Sequence, residues 1–249
     1  SFTNTISGTA LIVGARSGSV QLLLYSVFRI GNATNNLSWQ SYQDIAARAD
    51  VAWAVPMSLG DSHRQFRVMG TTVAFFEHYK YRKSRALALT DGVIISDLFD
   101  TVVGSDVAKT LKYSVGDPII IAHGLASFTE HKDQPFRVSG ILEKTGTPVD
   151  RTVIVNMEAI EAIHVDWKSG AKTPGQSTPV DVIRRMDLTP QAVTAALIGV
   201  KPPLHTFALK RPNTQYPEAH LLAILPGAAQ YYTWPYAGLV ATVWLLGAG

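Results

Sequence analysis

The chain has 249 residues, 47% of them hydrophobic and 16% charged, with 22 basic against 19 acidic side chains and a formal net charge of +3. That length and apolar content can bury a core in one large or two smaller domains, which argues against disorder. A charge so mild, and spread without a basic block, argues against nucleic acid as partner, and the absence of cysteine excludes disulfides, thiolate metal sites and a cysteine nucleophile.

Charged residues fall below the roughly 25% usual for soluble domains, which points to surface that is covered or close to a membrane. The chain begins at Ser1 with no initiator Met and no signal-peptide pattern, so it reads as a piece of something longer.

Branched and aromatic residues at Thr9–Ala15 and Gln21–Ile30, separated by a Gly-Ser punctuated stretch at 16–19, predict two strands. Asn35, Asn36 and Ser38 offer caps to a helix from Trp39, in which Tyr42, Ile45, Ala46 and Ala49 recur at helical spacing. Val51–Leu59 predicts a strand, the turn chemistry of Gly60–His63 a reversal, and Arg64–Gly70 its hairpin partner. Residues 73–92, where aromatics mix with basic side chains, predict a short helix and a surface loop.

Ser105 is the expected cap of a short helix that turns Val107, Ala108 and Leu111 inward. Gly116 is the expected positive-φ stop before a buried strand at Pro118–Ile121. Strands over Phe136–Glu143 and Thr152–Val155 and a helix over Met157–His164 follow. Residues 166–181 have no periodicity and predict an exposed loop. A strand at Ala192–Val200, a helix over Leu204–Lys210 opened by Pro202 and Pro203, and a strand at His220–Leu225 complete the pattern. Two strand–helix–strand units around a middle insertion amount to an interrupted, duplicated α+β arrangement. The uncharged run Ala237–Gly249 after Trp234, Pro235 and Tyr236 fits a truncated membrane helix and a buried terminal helix equally, since a full span needs about 20 apolar residues.

No catalytic constellation emerges from these residues. The seven histidines form no HxH, HxxxH or HExxH spacing, and Gly14–Gly18 lacks the Lys-Ser/Thr of a phosphate loop. No GxSxG elbow is present; Asp97, Asp100, Asp106 and Glu143 remain open to meeting in space but read most simply as solvated acids. The expectation is therefore no catalytic, cofactor-binding or metal residue. The one charge cluster is Lys80, Arg82, Lys83 and Arg85, interleaved with Tyr79 and Tyr81 behind Phe75 and Phe76. The bland reading makes the cations a solvated loop and the aromatics core packing. The sharper reading makes all eight residues a contact surface for an anionic lipid or an acidic partner.

The stretches VVGSDVAKTLKYSVGDPIII at 102–121, FRVSGIL at 136–142, DRTVIVNMEAIEAIH at 150–164 and the closing HLLAILPG at 220–227 resemble, in that order, the MacB-like periplasmic domain of FtsX-superfamily ABC transporter permeases. The resemblance implies an α+β, two-subdomain fold. A porter-like subdomain of strand–helix–strand units is expected from 1–71 and 186–228, an inserted mixed α/β (Sabre-like) subdomain from 72–185, and a segment leading toward a membrane helix at 229–249. It further implies a domain without enzymatic activity on the periplasmic side of a bacterial inner membrane. Its partners would be a cytoplasmic ABC ATPase reached through the membrane helices, a second permease copy and a periplasmic adaptor. Implied substrates range over peptides, lipoproteins, lipids and drugs. The rival reading from the same residues is a binding or regulatory module that recruits an adaptor or envelope enzyme without transport.

Overall fold

A computed structural model describes residues 6, 11–15, 19–31, 35–123, 135–168, 171–173, 175–201 and 221–224. Its centre is a mixed ten-stranded sheet flanked by short helices, the α+β class expected. One strand organises it. Strand β3 (Val51–His63) pairs antiparallel with β15 (Ala195–Val200) along Val51–Met57, then with β4 (Phe66–Thr71) along Ser58–His63. Its register shifts between Leu59 and Ser62, where Asp61 and Ser62 also pair with β9 (Ala122–His123).

Outward from β15 lie β1 (Leu11–Ala15) and β16 (Leu221–Ile224), both antiparallel to their neighbours. Beyond β4 come β11 (Thr152–Asn156), β8 (Asp100–Val103), β10 (Arg137–Leu142) and the edge strand β7 (Leu89–Gly92). The pairs β4/β11 and β8/β10 are parallel and the other two antiparallel.

The central strands are apolar at nearly every position because both faces of the sheet are covered. Met69, Val102 and Ile154 face one core with Leu22, Phe75 and Tyr79. Their neighbours Val68, Val103, Val153 and Val155 point the other way, into a core with Val107, Ala159 and Ile163. Helix α1 (Ser19–Ser26) and helix α3 (Ala74–His78) cover the first face; α4 (Ser105–Leu111) and α5 (Met157–His164) cover the second. Helix α2 (Trp39–Ala46) packs Tyr42 and Ile45 into a third cluster with Leu11, Val13 and Ile198, and Ser38 caps it by accepting from the Ser41 N–H at 3.1 Å.

Several expectations need correction. Gln21–Ile30 is no strand: its first part belongs to α1, in which Leu22, Leu23, Tyr25 and Ser26 are buried while Gln21 and Leu24 are exposed. That is a helical stripe, and the Ser26 hydroxyl donates back to the Leu22 carbonyl. The reversal placed at Gly60–His63 is instead part of β3, and the chain turns at Arg64–Gln65, with Arg64 at φ 53°. A Gly-Asp-Ser run serves an irregular ladder as well as a turn; pairing with β9 holds Asp61 and Ser62 inside, and contacts to Ile120 and Tyr113 hold His63.

Ser105 is not the cap of α4. Gly104 occupies that position, and the buried Ser105 hydroxyl has no hydrogen-bond partner. Glycine is required there because a Cβ would collide with the carbonyl oxygens of Val149 and Asp150. Residues Ile119 and Ile121 are buried and Ile120 is exposed, but among the described residues Pro118–Ile121 form a single bridge, Pro118 to Arg137. Residues 73–92 contain α3 as expected, then the small hairpin β5 (Lys80–Tyr81) and β6 (Arg85–Ala86) before β7. The expected loop at 166–181 includes a two-stranded hairpin, Trp167–Lys168 with Ala171–Lys172, and the start of a helical turn at Val180–Ile183.

The expected helices at 204–210 and 237–249 lie outside the described residues. Among the described residues no helix is long and apolar enough to cross a membrane.

Candidate functional site

The eight contact candidates separate by chemistry. Phe75, Phe76, Tyr79 and Tyr81 are buried, at 0%, 8%, 4% and 6% exposure, so these four do not form a surface. Phe75 packs edge-on against Phe76 with ring centroids 5.8 Å apart and lies 4.9 Å from the Tyr79 ring. Burial pushes the Tyr79 phenol up, against a hydrogen bond with Thr147 that pulls it down. The aromatics thus root the hairpin in the core.

The cations project from that root. Lys80 is half-buried and its Nζ donates to the Glu77 carbonyl at 2.8 Å, while Arg82, Lys83 and Arg85 are exposed. Tyr81 pairs with Arg85, and the three residues between them, Arg82, Lys83 and Ser84, all adopt left-handed φ, at 37°, 56° and 69°. Each side chain with a Cβ costs roughly 1–2 kcal/mol in that region, where glycine costs nothing. Among the described residues no ion pair engages Arg82, Lys83 or Arg85.

The turn leans on the loop 145–150, where the Arg82 guanidinium lies against Gly146 so closely that a Cβ there would overlap it. That loop is fixed by Asp150, a buried carboxylate that accepts from the Thr145 N–H at 2.8 Å, the Thr145 hydroxyl at 2.7 Å and the Gly146 N–H at 2.7 Å. Lys144 bridges Asp150 at 3.3 Å and Asp106 at 2.5 Å. Burial alone would push the Asp150 carboxyl up, but these donors outweigh it and hold it below the usual carboxylate range.

A cleft of about 550 Å³ opens between α2, the start of α5 and the returning segment 184–190, with Trp39, Asp97, Glu158, Arg184, Met186 and Asp187 on its walls. Arg184 grips Asp97 with both terminal nitrogens, at 2.7 and 2.9 Å, and stacks 5.1 Å above the Phe99 ring. The Arg184 hydrogen bond is the main reason that the Asp97 carboxyl titrates below its ordinary range. Asp187 accepts from the N–H and hydroxyl of its neighbour Thr189, which lowers its carboxyl too.

Of the four acids that sequence left open, Asp97, Asp100 and Asp106 each have a structural task, while Glu143 is exposed. Asp97 pairs with Arg184 and Asp106 with Lys144. Asp100 is buried, accepts from Ser96 and Asp97, and meets Arg137 at 3.3 Å. Asp97 and Asp100 therefore share one turn without facing an open substrate space as a pair, and Asp106 sits apart with Lys144.

Among the described residues, His63, His78 and His164 are likewise engaged. His63 Nδ1 meets the Ile120 carbonyl at 2.5 Å and Nε2 the Tyr113 hydroxyl at 2.7 Å, while His78 stacks on Trp53 with centroids 4.7 Å apart. Among the described residues no three potential metal ligands converge. Sequence reasoning missed the anchors Asp100 and Asp150; the turn chemistry of SerAspLeuPheAsp at 96–100 and ThrGlyThrProValAsp at 145–150 was the available signal.

The sequence model for the MacB-like periplasmic core domain matches residues 2–195. The periplasmic region of MacB from Actinobacillus actinomycetemcomitans superposes with a TM-score of 0.55 at 8% identity, covering 92% of this chain and 94% of that one, a likeness of fold. The extracellular domain of the ABC-type transporter YknZ from Gram-positive bacteria aligns with a TM-score of 0.45 at 12% identity, covering 86% of this chain and 99% of that one. No curated protein matches the sequence.

Proposed function

Because the chain belongs to the MacB-like periplasmic core domain family, we propose that it is the extracytoplasmic domain of an ABC transporter permease. In this reading it carries ATP-driven movement from a cytoplasmic ATPase to the export or extraction of an envelope substrate. The ATPase, a second permease copy and a periplasmic adaptor are its partners, and the domain catalyses nothing itself. The anchoring membrane helices belong to the intact permease, with this domain on the periplasmic face.

The observation that supports a coupling role is the path of β3. This single thirteen-residue strand pairs first with β15 and then with β4, and β4 in turn pairs along five residues with β11. With the porter-like part taken as 1–71 and 186–228 and the inserted part as 72–185, β4 is the seam: the last strand of one part, hydrogen-bonded to the other. A continuous ladder across that seam passes force without slack, as a lever must.

Isolation of the full-length permease from membranes tests the proposal. The expected result is copurification of an ATPase with a P-loop whose turnover depends on the permease. A permease recovered without any ATPase, yet active in recruiting an envelope protein, would replace transport by the rival recruitment reading.

A further inference from the structure

We propose that the turn carrying Arg82, Lys83 and Arg85 is a docking site for an acidic segment of a partner protein. Three observations carry this. The turn is built where glycine or asparagine would be easiest: Arg82, Lys83 and Ser84 are all left-handed, at φ 37°, 56° and 69°, yet two of the three carry cations. Local strain retained in this way marks a demand other than stability. The exposed cations are engaged by no ion pair among the described residues, whereas Arg48, Arg137, Lys144, Arg184 and Arg185 each have a carboxylate. The hairpin is also rigidly seated, with Tyr79 and Tyr81 in the core and Arg82 against Gly146, so the charges are held in place before a partner arrives.

The same geometry favours a polypeptide over a lipid surface. Every aromatic of the hairpin points inward, leaving the turn with charged and small side chains and nothing apolar to enter a bilayer. Two guanidinium groups flanking an ammonium suit carboxylates, which arginine binds with two parallel hydrogen bonds. The site extends the transport reading without resting on it, since binding by the domain and copurification of an ATPase are separate measurements.

The test is fluorescence anisotropy of a labelled octaglutamate peptide with the 249-residue chain at an ionic strength of about 0.15 M, where screening leaves only close charges effective. The expected result is saturable binding that weakens roughly tenfold or more when Arg82→Ala, Lys83→Ala and Arg85→Ala are combined. The pair Lys109→Ala with Lys112→Ala, which removes two cations on and just after α4 and none from the turn, should leave binding unchanged. Ser84→Gly keeps every cation and relieves one left-handed residue, and should leave affinity intact. Vesicles of one part phosphatidylglycerol to three of phosphatidylcholine should bind less tightly than the peptide. No saturable peptide binding, undiminished binding by the triple variant, equal loss in the Lys109/Lys112 pair, or tighter binding to vesicles overturns the proposal.

Discussion

Replacing Asp150 by alanine removes the carboxylate that holds the 145–150 loop beneath the basic turn. The Thr145 N–H, on a residue 2% exposed, then loses its acceptor where water does not reach, at a cost of about 1–3 kcal/mol. The Gly146 N–H lies on an exposed residue and is rescued by solvent, so its loss is about 0.5–1.5 kcal/mol. The Thr145 hydroxyl keeps Thr147 and Lys144 keeps Asp106, so neither adds much. The sum is roughly 3 kcal/mol, and at about 2–4 °C per kcal/mol for a domain of this size the melting temperature should fall by roughly 6–12 °C.

The same carboxylate makes a signed prediction about pH. Its folded pKa lies below its unfolded value, near 3.9, so its contribution is complete above that value and is lost as pH falls through the folded pKa. Asp150→Asn is nearly isosteric and cannot titrate. The stability gap between parent and this variant should therefore be widest near pH 7 and shrink below about pH 4. Thermal unfolding followed by circular dichroism at both pH values reads this directly. A melting temperature for Asp150→Ala within about 2 °C of the parent, or a gap to Asp150→Asn that stays constant into acid, would refute the assignment.

Other outcomes follow from the same contacts. Gly104→Ala drives a Cβ into two backbone carbonyls that cannot rotate away, and urea unfolding should show a loss of about 1–3 kcal/mol or more. Arg184→Ala breaks the two-pronged pair with Asp97, but both partners are 40% exposed, so the loss should be about 1 kcal/mol or less and should diminish in high salt. Size-exclusion chromatography with light scattering at modest concentration should show a monomer or weak dimer; a tight dimer would contradict this.

What the sequence made legible follows the reach of the interactions. Helix α5 and strands β10 and β11 were readable because their own apolar spacing decides their structure: five of the eight residues of α5 are buried on one stripe, and β11 is buried from Thr152 to Val155. The leucine run of α1 was ambiguous because a short apolar stretch suits either period, and packing against β1 and β3 chose the helix. The irregularity in β3 was hidden because what keeps Asp61 and His63 inside, pairing with His123 and contacts to Ile120 and Tyr113, comes from about fifty or more residues away in the chain. In the candidate site the alternation of Tyr79, Lys80, Tyr81 and Arg82 was compatible at once with core packing and with a surface loop. The aromatics went inward and the arginine outward, and only three-dimensional placement told the root of the hairpin from its tip.

The most direct test of coupling is a distance between the two domain copies of the full-length permease, assembled with its ATPase in nanodiscs. Since the 249 residues contain no cysteine, a single Lys109→Cys carries a unique spin label on the exposed side of α4 within this domain. Double electron–electron resonance should give one distance distribution without nucleotide and a displaced one with ATP bound. Identical distributions in the two states, with the ATPase turning over, would contradict a domain that moves with the motor.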